Sequence, residues 1–238
     1  MALQLIGSAA GTTTLTFPTH KIKDLLIIFA FCDGSVTNPT IGSGFTNITN
    51  TLDGTLCSVS MGYRIATVTN TSSGTWTNAS RIVGVVLRGQ QSNTSGTPLG
   101  SVAGTSGTTN TVTYTARTLA ASGVIGSSWF LGFAGHASVD TTLESPPSGM
   151  TLIRNDVDAT AEVSVFATTG TMEGGYGPAV GNWPSTNVSL TGTASNWITA
   201  VIEVKADAQE FNNYRVMGTV HNATGANPGI LAFGGGNG

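Results

Sequence analysis

Leu25-Leu26-Ile27-Ile28-Phe29-Ala30-Phe31 is the longest run of apolar side chains in the sequence, and it is bounded by Asp24 and by Cys32-Asp33-Gly34. A short, continuous run of this kind, rich in branched and aromatic residues, is typical of a strand that is covered on both faces. It is far too short to cross a bilayer as a helix. The run therefore predicts a sheet in the middle of a layered protein.

The rest of the chain repeats this strand signature on a smaller scale. Alternating or β-branched segments are separated by Gly, Pro and Asn, which mark turns. The predicted strands are residues 3–7, 12–17, 24–31, 45–49, 56–69, 81–88, 111–115, 128–135, 150–154, 161–168, 187–190 and 196–205. No segment has a convincing helical period, and residues 206–211 could form one turn at most. The pattern predicts an all-β, antiparallel β-sandwich of jelly-roll-like kind over residues 1–205.

Four motifs of the first half recur in the same order in the second half. Residues 14–17, 25–30, 43–46 and 81–88 are matched by residues 111–114, 129–134, 148–151 and 198–205. The matched segments predict an internal repeat of residues 11–89 and 108–205, although β-rich Thr/Gly sequence can also resemble itself by chance. Because one unit could not cover both of its faces, we expect each half to supply part of both sheets.

Composition excludes several classes of protein. Only 9% of the residues are charged, with Lys and Arg together 9 and Asp and Glu together 12. These charges are scattered, and Lys21 with Lys23 is the nearest approach to a basic cluster. Nucleic-acid binding depends on clustered cations, so we expect no nucleic-acid partner. The N-terminus has no basic region followed by an apolar one, so we expect synthesis in a cytoplasm, no signal peptide and no membrane association.

The residue types that perform catalysis do not form a recognisable motif. His136 with Asp140 could form a dyad, and Asp156 with Asp158 could bind calcium, but a loop pair and a solvated hairpin turn explain them better. Cys32 and Cys57 lie in apolar strands, which favours two buried thiols over a disulfide or a metal pair. We therefore expect no enzymatic activity, no cofactor and no metal.

The four tryptophans divide into two groups. Trp129 and Trp197 lie in apolar strands and are predicted to be core residues. Trp76 precedes Thr77-Asn78 and Trp183 precedes Pro184, so both lie near loops and are predicted to be exposed. Exposed indoles can stack on sugars, which makes Trp76 and Trp183 candidates for binding a glycan.

Residues 206–238 differ from the rest of the chain. The segment is rich in Gly and Asn but carries spaced large residues, which a flexible linker would lack. It is either an arm that orders on a neighbouring surface or a tail that is disordered or packed on its own domain. For an arm, aromatic residues and arginine are the expected anchors. The candidate partner-docking residues are Phe211, Tyr214, Arg215 and Phe233.

One arrangement of motifs resembles a known group of proteins. Asp24-Leu25-Leu26-Ile27 opens a loop, and Ser43-Gly44-Phe45-Thr46, Gly62-Tyr63-Arg64-Ile65-Ala66-Thr67 and Val85-Val86-Leu87-Arg88-Gly89 follow. This order resembles the β-sandwich proteins of tailed-bacteriophage virions, found as capsid decoration (cement) proteins and as tail-associated accessory proteins. The resemblance covers about residues 3–205. The second half departs from it, with Met150 at the aromatic position.

The resemblance implies a function without catalysis. The expected role is a structural protein on the virion exterior that binds and stabilises the capsid shell. Its expected partners are other virion proteins, namely the major capsid protein or tail proteins, together with further copies of itself. The alternative is a tail-associated or receptor-binding virion protein that recognises a host-surface glycan.

Overall fold

The computed structural model describes residues 3–53, 55–69, 71–91, 97–118, 128–138, 145–168 and 182–206, with only the backbone described at residues 49–53 and 182. The described residues contain strands and turns but no helix. The strands are β1 (Gln4–Gly11), β2 (Leu25–Asp33), β3 (Thr46–Asp53), β4 (Cys57–Ile65), β5 (Arg81–Arg88), β6 (Leu99–Gly107), β7 (Thr111–Tyr114), β8 (Arg117–Thr118), β9 (Trp129–His136), β10 (Thr151–Val157), β11 (Glu162–Ala167), β12 (Asn182–Trp183), β13 (Thr186–Ser189) and β14 (Trp197–Val204).

Two five-stranded antiparallel sheets form the body of the protein, in the orders β1-β5-β2-β4-β3 and β10-β11-β9-β14-β6. The all-β, antiparallel sandwich predicted from the sequence is therefore confirmed. Residues Leu25 to Phe31 form most of β2, the central strand of the first sheet, and all seven are fully buried. Their continuous hydrophobicity reflects burial on both faces, as expected for a central strand between two apolar layers.

Three expectations about strands were wrong. Residues 12–17, which were predicted as a strand, form only an isolated bridge at Thr16 with Ser72. Each half of the chain forms one whole sheet, rather than parts of both. The Gly/Ser/Thr-rich stretch before residue 111 contains β6, which pairs with β14 along most of its length. Small residues have low intrinsic strand propensity, but β14 offers an open row of backbone donors and acceptors that the segment satisfies.

The two sheets share one strand order. Replacing β1, β5, β2, β4 and β3 by β6, β14, β9, β11 and β10 converts the first sheet into the second. The register agrees as well, since Ile28 lies opposite Gly84 in the first sheet and Gly132 lies opposite Val201 in the second. A tandem duplication of a five-strand unit would produce this correspondence.

Two of the three register shifts of the first sheet recur in the second, whereas the shift between Thr49 and Leu52 has no counterpart there. One bulge interrupts the pairing of β1 with β5, and a second interrupts β3 with β4 between Asn47 and Thr49. In the second sheet, β6 with β14 has the bulge that matches the first, and β10 with β11 has the second between Leu152 and Arg154. Bulges tend to be kept as features of a fold, so their shared positions strengthen the correspondence between the halves.

The central core lies between the sheets, where their inner faces meet. Its large members include Phe29, Phe31, Val83, Leu131, Phe133 and Ile198, all fully buried. The rings of Phe29 and Phe133 stack with centroids 5.1 Å apart and planes 3° from parallel. These two residues occupy equivalent positions in the two halves. A residue that contacts its own equivalent lies on a two-fold axis, so the halves pack about a pseudo-two-fold axis that follows the central strands β2 and β9.

Each sheet is also covered on its outer face. Leu15, Phe17 and Trp76 cover Leu26, Ile28 and Val86 of the first sheet. Tyr114, Trp183 and Val188 cover Phe130, Phe166 and Val201 of the second. We call these coverings the first flap (residues 12–17, 37–45, 66–69 and 71–80) and the second flap (residues 108–114, 145–150 and 182–190). The protein thus has four layers, with a sheet and its flap in each half.

The strands run between two ends of the sandwich. At the end we call the Arg88 end, β2 begins at Leu25, β4 finishes at Ile65, and Gln4 pairs with Arg88. A bridge between Gln90 and Ala206 joins the second sheet to the first at this end. At the opposite end, the Arg81 end, Asp33 pairs with Cys57, and Arg81 forms an ion pair with Asp156 of β10.

Candidate functional site

The two indoles proposed for glycan stacking are not accessible. Trp76 is fully buried and Trp183 is 3% exposed, so the prediction that both are exposed was wrong. Both residues do lie next to loop segments, but those segments fold over the apolar outer faces of the sheets. A sugar could reach neither ring without displacing a flap.

The two tryptophans instead perform the same structural task in the two halves. The Nε1–H of Trp76 donates to the carbonyl of Ser73 at 3.2 Å, and the Nε1–H of Trp183 donates to the carbonyl of Ser148 at 3.1 Å. Each ring therefore packs on its sheet while its one polar atom is satisfied within the flap. Of the other two, Trp197 is 4% exposed, as predicted for a core residue, and Trp129 is partly buried against the core.

Asp156 and Asp158, the pair considered for calcium, face Arg81. The Arg81 guanidinium forms an ion pair with Asp156 and lies 3.6 Å from Asp158, and it donates to the carbonyl of Val157 at 3.3 Å. Asp158 Oδ1 also accepts the backbone N–H groups of Thr160 at 2.8 Å and Ala161 at 2.9 Å, which closes the β10–β11 hairpin. A cation would have to displace Arg81 from this site.

Asp158 and Asp33 at the Arg81 end have pKa values that are shifted in opposite directions. Burial alone would raise the pKa of Asp158, but the bonds from Thr160 and Ala161 and the charge of Arg81 outweigh it and lower that pKa. Burial raises the pKa of Asp33, and the nearby Asp158 carboxylate raises it further. The cluster thus joins β5 of one half to β10 of the other by charge and hydrogen bonds.

His136, the histidine considered for catalysis, is sealed inside the second half. It is fully buried, and its Nδ1 lies 2.9 Å from the carbonyl of Ser138. Glu162, also fully buried, lies opposite it across the β9–β11 pairing. Burial and the charge of Glu162 both raise the pKa of Tyr114, so its hydroxyl stays protonated. Asp140, the proposed partner of His136, lies outside the described residues.

The Arg88 end holds the feature that sequence reasoning passed over. The segment Lys21-Ile22-Lys23 forms an exposed turn, held because the backbone N–H of Lys21 donates to Asp24 Oδ2 at 2.7 Å. Asp24 in turn accepts two bonds from Arg88, each at 2.7 Å, and the N–H of Lys23 donates to the carbonyl of Ala66 at 2.7 Å. The two lysines were noted in the sequence, but only as evidence against nucleic-acid binding.

The backbone of this turn is strained at Lys23. Its φ of 75° lies in the left-handed region, which a residue with a side chain adopts only at a free-energy cost. The surrounding bonds to Asp24 and Ala66 hold it there. The turn therefore holds Lys21, Ile22 and Lys23 at the surface in one backbone conformation, with Ile22 59% exposed.

Of the remaining candidate residues, the structure describes the two cysteines but not the four docking residues. Cys32 and Cys57 are buried and do not form a disulfide, as predicted. Phe211, Tyr214, Arg215 and Phe233, the candidate docking residues, lie outside the described residues. Within the described ranges, no group of three or more His, Cys, Asp or Glu side chains could hold a metal ion. No helix there is long and apolar enough to span a membrane.

The chain was compared with protein-family models, curated proteins and solved structures. No protein-family model, curated protein or solved structure matches the chain.

Proposed function

We propose that this protein is a non-enzymatic structural protein of a tailed-phage virion, where it acts as a capsid decoration protein that binds the outer shell and stabilises it. The motifs from Asp24 to Gly89 that resemble such proteins support this role. In the first sheet these motifs form β2, the turn before β3, the end of β4 and the end of β5.

One structural observation carries the proposal. Within the described residues, the histidine and the aspartates considered for chemistry take part in contacts that hold the fold together. Asp156 and Asp158 bind Arg81 across the two halves, and His136 is fully buried. These contacts leave the exposed strand ends and turns as the surfaces that a partner would bind, which supports a role in adhesion.

The proposed attachment to the particle is the C-terminal arm, through Phe211, Tyr214, Arg215 and Phe233. Ala206, the last described residue of the chain, pairs with Gln90 at the Arg88 end. Many weak contacts repeated over a symmetric shell add up to stable binding, and each contact need bury only about 800 Å² per partner.

Binding to purified particles tests the attachment. The full chain carrying alanine at all four anchors should bind at least about tenfold less in co-sedimentation than the unchanged chain, since truncating each anchor typically costs over about 1 kcal/mol. The matched control carries alanine at Asn212, Asn213, Asn222 and Asn237 of the same segment and should bind normally. Unchanged binding by the four-anchor variant would refute docking through the arm.

The number of copies per particle separates this proposal from its alternative. Quantitative mass spectrometry of purified virions should find hundreds of copies for a decoration protein. A handful of copies would instead indicate a tail-associated or receptor-binding component. Absence of the chain from virions would contradict both roles. Glycan recognition through Trp76 or Trp183 is not retained, because both rings are buried.

A further inference from the structure

The large apolar side chains that the described residues leave exposed lie toward the two ends of the sandwich. Leu5, Ile22 and Val68 are 41%, 59% and 58% exposed, and each lies in or within three residues of strand termini at the Arg88 end. Val36, Leu56 and Val157 are 53%, 55% and 42% exposed and lie correspondingly at the Arg81 end. Apolar exposure concentrated at the ends of a molecule, rather than spread over its faces, favours those ends as interaction surfaces.

The same two ends differ in the sign of their charge. At the Arg88 end basic residues outnumber acidic ones, with Lys21, Lys23, Arg64, Arg88 and Lys205 against Asp24 and Glu203. At the Arg81 end acidic residues outnumber basic ones, with Asp33, Asp156 and Asp158 against Arg81 and Arg154.

We propose that the protein associates with a second copy of itself head to tail, with the Arg88 end of one copy seated on the Arg81 end of the next. Ile22 and Val68 would then pack near Val36 and Leu56 of the neighbour. Lys21 and Lys23 would lie beside its acidic residues. The association does not depend on the proposed virion role.

Charge selects this arrangement over a symmetric dimer. A two-fold contact brings the same surface of each copy together, so it would place the two Lys21-Ile22-Lys23 turns, or the two acidic ends, against each other. A head-to-tail contact places opposite charges together and buries apolar residues from both ends. The strained but firmly held turn at Lys23 is presented without further ordering, which reduces the entropic cost of binding.

The mass of the full chain in solution tests the proposal. In sedimentation equilibrium at about 20 mM salt, the weight-average mass should rise with protein concentration to about twice the monomer mass or beyond. At about 500 mM salt the rise should be largely lost, because the Debye length then falls to only a few ångströms. A mass that stays monomeric at every concentration in low salt would overturn the proposal.

Two variants, each altered at one end, test the direction of the contact. The first carries Lys21→Glu with Ile22→Ser, and the second carries Val36→Lys with Leu56→Ser. Each alone should remain a monomer, since its altered end repels the intact end of the next copy. Mixed in equal amounts they should associate again, because the intact Arg81 end of the first variant fits the intact Arg88 end of the second.

Surface charge that lies away from the ends provides the control. Asn187→Glu with Ser189→Glu changes the net charge as much as Lys21→Glu does, at two exposed positions on β13. This variant should associate like the unchanged chain. Dimers formed by either end variant alone would show a symmetric contact, and failure of the mixture to associate would show that the two ends do not meet. Either result would refute the head-to-tail arrangement, and circular dichroism of each variant verifies that it is folded.

Discussion

At the scale of single residues, the axis between the halves explains an asymmetry in the core. Phe31 in β2 and Gly135 in β9 are equivalent positions, and they meet at the pseudo-two-fold axis. Two phenylalanines at this level would compete for one space. The glycine removes the conflict, because its missing side chain leaves room for the Phe31 ring.

Gly135→Ala should therefore destabilise the protein by about 1–3 kcal/mol, as overpacking of a dense core does. A Cβ at this position would overlap the Phe31 ring. Urea unfolding of Gly135→Ala, Phe31→Leu and the double variant gives the coupling between the two sites. The leucine should recover part of the cost of the alanine, and strictly additive effects would contradict direct contact.

Residue identity predicted burial well in strands and poorly in flaps. The run from Leu25 to Phe31 is buried as its composition predicts. Trp76 and Trp183 were wrongly predicted to be exposed because their neighbours, such as Asn78 and Pro184, favour loops. Loops usually lie at the surface. Here the outer face of each sheet is apolar, so the loop that crosses it must bring its own apolar side chains. Nothing near either tryptophan in the sequence states that a sheet lies beneath it.

At the scale of elements, the ion pair of Asp24 with Arg88 fixes the start of β2 to the end of β5. Burial alone would raise the pKa of Asp24, but the bonds from Arg88 and from the Lys21 N–H, with the charges of Arg88 and His20, lower it below its ordinary value. The unfolded chain therefore takes up this proton at a higher pH than the folded protein does. The stability contributed by Asp24 is present above about pH 4 and is lost as the pH falls through the folded pKa.

Asp24→Asn should make the free energy of unfolding fall less steeply as the pH is lowered below about 4, because the amide cannot take up the proton. Urea unfolding from pH 2.5 to 7 measures this slope. Asp33→Asn is the control of opposite sign, since burial raises the pKa of Asp33 and its stabilising effect is lost as the pH rises. Equal slopes for the unchanged chain and Asp24→Asn would contradict this account.

Strands were predicted correctly where the apolar pattern is strong. They were missed where the strand conformation depends on pairing with a neighbouring strand. The central strands β2, β5, β9 and β14 were all predicted near their observed bounds. Strand β6 was missed because its small residues carry no strand signal, and its conformation follows from the open edge of β14. The turn at Lys21 to Lys23 was not predicted as an interaction surface. Its shape depends on Asp24, Arg88 and Ala66, which only the fold brings together.

At the scale of the whole molecule, the halves meet as two partners would. The inner faces of the sheets form the central core, with Phe29 on Phe133 at its axis. Residues 89–98 connect β5 to β6 in the chain. A connection of this length lowers the entropic cost of bringing the halves together.

Cleavage of this connection should leave the halves together. With a protease recognition sequence inserted at residues 92–96, the two fragments should elute as one species after cutting, and their stability should become dependent on concentration. The inserted but uncut protein is the control. Two fragments that separate in native buffer would contradict a core built mainly between the halves.

The alignment of β2 and β9 along one axis has a mechanical consequence. Hydrogen bonds in an antiparallel ladder are perpendicular to the strands. Force applied between the Arg88 end and the Arg81 end acts along the strands. It therefore loads the hydrogen bonds between neighbouring strands in shear, all at the same time, instead of opening them one after another. The sandwich is built to resist tension in that direction and to yield more readily when it is peeled from an edge.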